Sequence, residues 1–351
     1  MINLLKEKTS LWQFLKETEK PIIIYGMGDG ADKIINVLET FKIKISGIFA
    51  SDEFVRGHSF RGMKVKKLSE IKAEFKDFII LLSFATQREE VLEKIREIAS
   101  RHTLFAPDVP VAGDGLFTPD FIKEHNAEFL KVYNSLCDET SKEVFLDTLN
   151  FKISGKIEYL LKNTTPREDI YKMLNLTDNE HFVDLGAYNG DTVREFLKAT
   201  NNNYSRITAF EPDVRNFKKL SLFCENLENA VCHNVGAHSH NDVLTFASRG
   251  GRNSSLYKSG EENKVAVDSV DNLCENPTVI KFDVEGNELL AIKGCEKSIL
   301  ENKPKLLVSA YHRNEDLFSL PLEILKLRSD YKLYLRRESY IPAWEINYLF
   351  L

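Results

Sequence analysis

Phe182-Val-Asp-Leu-Gly-Ala-Tyr-Asn-Gly-Asp-Thr192 is the stretch of this 351-residue chain from which its fold is read. An apolar run without helical period leads into Gly186 and Gly190, and Thr192-Val-Arg-Glu-Phe-Leu197 follows at helical spacing. The pattern predicts a buried parallel strand, a tight loop and a helix. Glycines let backbone approach a ligand closely, and the helix start offers unpaired N–H groups and a positive dipole end. Twenty-one residues after Gly190, Ile207-Thr-Ala-Phe210 ends in Glu211-Pro212, which puts a carboxylate at the tip of the next strand. Such an acid suits two ribose hydroxyls, and the spacing alone does not separate dinucleotides from other nucleoside ligands.

The first loop narrows the choice. Asp184-x-Gly186-x-x-x-Gly190 carries an acid inside the strand end and lacks the G-x-G-x-x-G turn that embraces a pyrophosphate. An acid there suits a cationic amino-acid ligand. Together with Phe210-Glu-Pro212, Asn234-Val-Gly-Ala237, Ile280-Lys-Phe-Asp-Val-Glu-Gly-Asn-Glu288 and Tyr311-His312, the loop resembles class I S-adenosylmethionine methyltransferases, and in its later motifs the FkbM-type O-methyltransferases. The resemblance covers roughly the last half of the chain. It implies that Asp184, Gly186, Asn189 and Gly190 hold the methionine part of S-adenosyl-L-methionine, Glu211 with Pro212 the ribose, and Gly236 and Ala237 the adenine edge. Asp191 and Thr192 stand at the first helical turn, where direct contact with cofactor and simple capping are equally open. It further implies methyl transfer to a hydroxyl of a carbohydrate, either a glycan precursor or a sugar nucleotide.

Ligands of open parallel sheets bind beyond the carboxyl ends of the strands. Asp184, Glu211, Asn234, Asp283 and His312 all fall at such ends. His312, a histidine that follows a buried strand, leads as the base that takes the acceptor proton. Asp283 and Glu285 rival it as base or as hydroxyl ligands. Lys281 shares the strand face of Asp283 and reads best as a lysine snorkelling to water. Asp283, Glu285 and His312 would suit a metal, yet nothing in the spacing requires one. Two features read as acceptor-side peculiarities: Arg336-Arg337 after a late strand, and the glycine-rich loop Arg249 to Ser255.

Outward from this centre, the element count fits a seven-stranded, mostly parallel α/β sheet with helices on both faces, closed by antiparallel segments near Tyr331–Leu335 and Trp344–Phe350. Residues 1–107 read as a separate small Rossmann-like unit. A helix is expected within 2–18, then strand Pro21–Tyr25, the turn Gly26-Met-Gly28-Asp-Gly30-Ala31, a helix, a strand over Ile43–Phe49, and another over Asp77–Ser83. This G-x-G-x-x-A leaves a nucleotide-dependent oxidoreductase or sugar-nucleotide-modifying enzyme as the rival reading, although no Tyr-x-x-x-Lys accompanies it. A non-catalytic glycan-binding scaffold is the other rival. Pro107, Pro110, Gly113 and Gly115 mark the boundary, and 108–180 reads as a helical linker or cap before the methyltransferase part, 181–351.

With 43% hydrophobic and 28% charged residues, the composition is that of an ordinary globular protein. Neither a signal peptide nor a bilayer-long apolar run is read, so a cytoplasmic enzyme is expected. Beyond Pro107 the chain holds 29 basic and 38 acidic residues, a balance that repels nucleic acid and favours a small-molecule or glycan acceptor. The five cysteines lack C-x-x-C spacing and read as core thiols. His233, His238 and His240 read as solvated, and a homodimer is compatible with the sequence.

Overall fold

The computed structural model describes residues 1–247 and 262–351. The loop Arg249 to Ser255 lies outside them. The chain starts with a single 3-10 turn, Ile2–Leu4, and its first helix is Leu11–Glu17, shorter than the 2–18 periodicity predicts. Ser10 ends it early by accepting the Gln13 N–H at its N-terminus.

The N-terminal sheet consists of β1 (Ile22–Tyr25), β2 (Gly47–Phe49), β3 (Ser59–Phe60), β4 (Met63–Lys66), β5 (Ile79–Leu82) and β6 (Thr103–Phe105), ordered β3-β4-β2-β1-β5-β6. All neighbours run parallel except β3 with β4. β1 and β5 are buried at every position, as central strands covered on both faces must be. The strand expected over Ile43–Phe49 pairs only from Gly47, and β6 was not legible in advance. Helices Pro119–Glu124, Asn126–Ser135, Glu139–Ser154 and Arg167–Met173 then bridge to the second sheet.

That sheet contains β7 (His181–Leu185), β8 (Arg206–Phe210) and β9 (Ala230–His233). After a small three-stranded sheet of β10 (Gly236–Ala237), β11 (Asp242–Ala247) and β12 (Glu262–Asp268), it continues with β13 (Val279–Phe282), β14 (Lys305–Ser309), β15 (Leu333–Arg337) and β16 (Ile346–Phe350). Its order is β15-β16-β14-β13-β7-β8-β9, with β16 antiparallel to both neighbours. β9 stops at His233, just before Asn234, and Gly236 and Ala237 pair with β12 instead. From β7 the chain proceeds outward through β8 and β9 and later returns on the other side through β13. The crevice at this switch point opens over Gly186 and Asp283.

One apolar cluster runs from Ile23 and Ile80 through Phe129 and Phe145 to Ile280 and Val308, so the parts share a core. Thr86, just past β5, exchanges backbone hydrogen bonds with Ile341 (2.8 and 3.0 Å), and Ala112 N–H donates to His312 O at 2.9 Å. The carboxyl edge of the N-terminal sheet therefore leans on the edge of the second sheet. Arg336 and Arg337 fasten β15 to the helical segment 138–162. Arg336 donates to Asp138 and Ser141, while the fully buried Arg337 donates to Tyr159 O and Lys162 O. Among the described residues no helix is long and apolar enough to cross a membrane. The cysteines are free, and Cys137 is exposed rather than in the core.

Candidate active site

Gly186 and Gly190 both have left-handed backbone, φ +83° and +85°. A Cβ on Gly186 would sit 1.9 Å from Asp283 O, so the ends of β7 and β13 close on one another only over a glycine. Gly190 precedes helix Asp191–Ala199. Asp191 and Thr192 divide their tasks there. Exposed Asp191 accepts the Thr192 N–H, whereas Thr192 is buried and its hydroxyl donates to Asp184.

Asp184 is fully buried, and its other oxygen accepts from Lys281 Nζ at 3.1 Å. Lys281 also reaches Gly186 O (3.2 Å) and lies 3.7 Å from Asp283. It is buried, not snorkelling, because two carboxylates and a carbonyl replace its water. Burial pushes the Asp184 carboxyl upward. At Lys281 the fields of Asp184 and Asp283 overcome burial and raise the ammonium. The second effect decides the state of the pair, since a carboxylate with an ammonium and a hydroxyl donor in place stays ionised. Asp184 thus fixes the loop from beneath, with both oxygens engaged inside the protein. Asn189 is half-buried above it, its carbonyl accepting from Arg194 at 3.0 Å.

Glu211 follows β8 with 6% of its surface exposed. It accepts the N–H groups of Tyr188 (2.8 Å) and Asp213 (2.9 Å), and among the described residues no cation pairs with it. Burial, with the nearby charges of Asp213 and Asp184, pushes it up to about 7. Asn234 braces the next turn by donating to Glu211 O and Pro212 O (2.8 and 3.1 Å). Gly236 stands beside Pro212, a Cβ there falling 3.8 Å from the proline ring, and Ala237 is buried next to it. Gly186, Glu211, Pro212 and Gly236 therefore follow one another along the carboxyl ends of β7, β8 and β9, with the buried Asp184 beneath them. His233 is half-buried and His238 buried, so only His240 is solvated as predicted.

Asp283 accepts from Tyr311 Oη at 3.2 Å. His312 is 2% exposed, with Nδ1 2.9 Å from Glu288 Oε1 and Nε2 3.5 Å from Asp283 Oδ1. Against the downward push of burial, Glu288 and then Asp283 raise the imidazole to about 9. The same imidazolium and Lys281 hold Asp283 low against burial. Glu288 and Asp283 thus favour the protonated imidazole over the neutral form that a base would need. Glu288, also buried, accepts the N–H groups of Val284 and Gly286 and so ties His312 to the turn after β13. Asp283, Glu288 and His312 bring ligand atoms within 4.8 Å of one another, a grouping that would suit a cation. The imidazolium already balances the two acids. Glu285 faces away into solvent on left-handed backbone, φ +54°, and is not part of this triad.

Residues 184–334 match the family model described as the Methyltransferase FkbM domain. Over those residues the chain is similar in sequence to FkbM-type methyltransferase domains. Residues 18–103 match a second model, described as C2185-like, N-terminal. No curated protein sequence matches the chain. Among solved structures, methyltransferase FkbM from Methylobacillus flagellatus KT is similar over 95% of this chain and 90% of its own, with 22% identity and a TM-score of 0.73. An rRNA methylase from Streptococcus thermophilus (14% identity, 52% of this chain, 92% of its own) has a TM-score of 0.31. Aeropyrum pernix fibrillarin with natively bound S-adenosyl-L-methionine (12%, 50% and 69%) has one of 0.33.

Two residues beside this site escaped the sequence reading altogether. Arg167, in the helical linker, binds Glu195 (2.9 Å), Glu338 (2.7 Å) and, more loosely, Glu345 (3.5 Å). Glu345 stands at the start of β16, on the same rim as Asp283.

Proposed function

We propose that the chain is an S-adenosylmethionine-dependent O-methyltransferase whose acceptor is a carbohydrate hydroxyl, on a glycan precursor or a sugar nucleotide. The observation that carries the reading is Glu211, a buried carboxyl beside a glycine cradle, braced by two backbone N–H groups and, among the described residues, left without a cation. Such a group fits the two hydroxyls of a ribose, and the cradle at Gly186 and Gly190 fits a ligand that must come close to backbone. Held by Glu211 and the Gly186–Gly190 loop, that cofactor would supply a methyl carbon on positive sulfur, with the sulfur as the leaving group that keeps the electron pair of the S–C bond.

The protein's part is placement. Glu211 orients the nucleoside, with Pro212, Gly236 and Ala237 forming the wall beyond it. Asp184, Thr192 and Lys281 hold the loop Gly186–Gly190 against β13, while Asn189 and Asp191 border it. Asp283, ionised and steadied by His312, accepts a hydrogen bond from the acceptor hydroxyl. Alignment of this kind is worth up to roughly 7–11 kcal/mol. The sugar rests on the family resemblance and on carboxylates suited to hydroxyl groups. A cytoplasmic setting and a small acceptor, rather than nucleic acid, complete the reading.

Calorimetric titration tests it. S-adenosylhomocysteine should bind and NAD should not, whereas NAD binding without S-adenosylhomocysteine would transfer the function to the Gly26–Gly30 loop.

A further inference from the structure

We propose that Glu345 is the group that takes the proton from the acceptor hydroxyl. The inference rests on the methyl-transfer reading above and adds a residue to it. In the antiparallel pairing of β14 with β16, Ser309 lies opposite Asn347, and Ala310 N–H donates to Ile346 O at 2.9 Å. Continued by one position, the register sets Glu345 opposite Tyr311, whose hydroxyl holds Asp283. The acids nearest to it are engaged: Asp184 by Lys281 and Thr192, Asp283 by Tyr311 and His312, and Glu288 by its turn and His312, while Glu211 stands at the far end of the rim, at the tip of β8. Glu345 keeps 28% of its side chain exposed, and one of its oxygens pairs with Arg167 at 3.5 Å.

Its backbone is left-handed, φ +55°, a conformation that costs a non-glycine residue about 1–2 kcal/mol and is retained where the surroundings impose it. The surroundings are explicit. Glu338 N–H donates to Glu345 O at 3.1 Å, and the Thr86–Ile341 pair pins the hairpin to the N-terminal sheet. Burial and the charge of Asp283 also push Glu345 up to about 7, so two neighbouring carboxyls are driven apart, one held low as an anion and one able to exchange a proton near neutrality. In the proposed step the acceptor O–H bond breaks as its oxygen bonds to the methyl carbon, and the proton passes to a Glu345 carboxylate oxygen.

The test needs no acceptor. Sinefungin carries an ammonium where the donor carries its methyl, while S-adenosylhomocysteine is neutral there. Both are titrated into the full chain and into Glu345→Gln and Glu345→Asp, with thermal midpoints recorded. If Glu345 faces the transferred group, Glu345→Gln loses about tenfold in sinefungin affinity. It should keep S-adenosylhomocysteine affinity without lowering the midpoint, and Glu345→Asp should recover part of the loss. Equal sinefungin affinity in wild type and Glu345→Gln would overturn the proposal. So would parallel losses for both ligands in both variants, which would make Glu345 structural. Failure of S-adenosylhomocysteine to bind the wild type would instead remove the methyl-transfer reading itself.

Discussion

The chain contains two glycine loops at equivalent places, each after the first strand of a parallel sheet and each followed, about 20 residues later, by an acid past the second strand. In the N-terminal loop a Cβ on Gly30 would fall 2.2 Å from Ser83 O, and one on Gly26 would meet Phe84 and Ser83 at 2.7 Å, so these glycines permit packing. Asp29 and Asp32 occupy the first turn of its helix, and Asp52 is exposed and faces Lys67 at 3.5 Å. In the C-terminal loop the glycines hold two strand ends together, and the acid, Glu211, is buried with no cation beside it among the described residues. Spacing is common to both loops; only the burial of the acid distinguishes a cradle from a turn.

The largest effect should come from the glycines. Gly186→Ala combines left-handed strain with an unavoidable backbone clash and should cost about 3–5 kcal/mol in urea unfolding. Gly28→Ala, also at positive φ but with nothing within 4 Å of its Cβ, should cost about 1–3 kcal/mol from strain alone. Equal costs would break the comparison.

Glu211 should sharpen it. Its folded pKa lies above its ordinary value of 4.5, so the folded state binds the proton more tightly, and stability falls as pH rises from 4.5 through 7. Glu211→Gln should remove that slope and stabilise the ligand-free protein at pH 8 by roughly 1–3 kcal/mol, read as a higher unfolding midpoint. Asp52→Asn should change neither.

The smallest effect lies away from both loops. Arg336 and Ser141 hold Asp138 down at about 2 against burial, so this pairing stabilises above pH 4 and is lost as pH falls from 4 to 2. After allowance for solvent screening it is worth about 1 kcal/mol. Arg336→Ala should flatten that acid limb in a pH series of thermal unfolding, and an unchanged limb would count against the pairing.

Much of the rim was legible because parallel strands ending in acids or glycines leave local marks at Asp184, Gly186, Glu211 and Asp283. Glu345 was not, for a geometric reason. The rule looks to the carboxyl ends of strands, but β16 runs antiparallel, so its amino end lies on the same rim. Arg167 and Glu288 act across the fold through partners that no local pattern marks. His312 was located by its strand, but its charge is set by Glu288 and Asp283, which only the folded chain brings beside it.

The central claim, that a donor lies against Glu211 and not against the N-terminal loop, is tested most directly by titrating S-adenosylhomocysteine into Glu211→Gln and Asp52→Asn alongside the wild type. Losing a charged partner of two hydroxyls should weaken Glu211→Gln by about 10- to 100-fold and leave Asp52→Asn within twofold. Undiminished binding by Glu211→Gln, or a comparable loss in Asp52→Asn, would contradict the account.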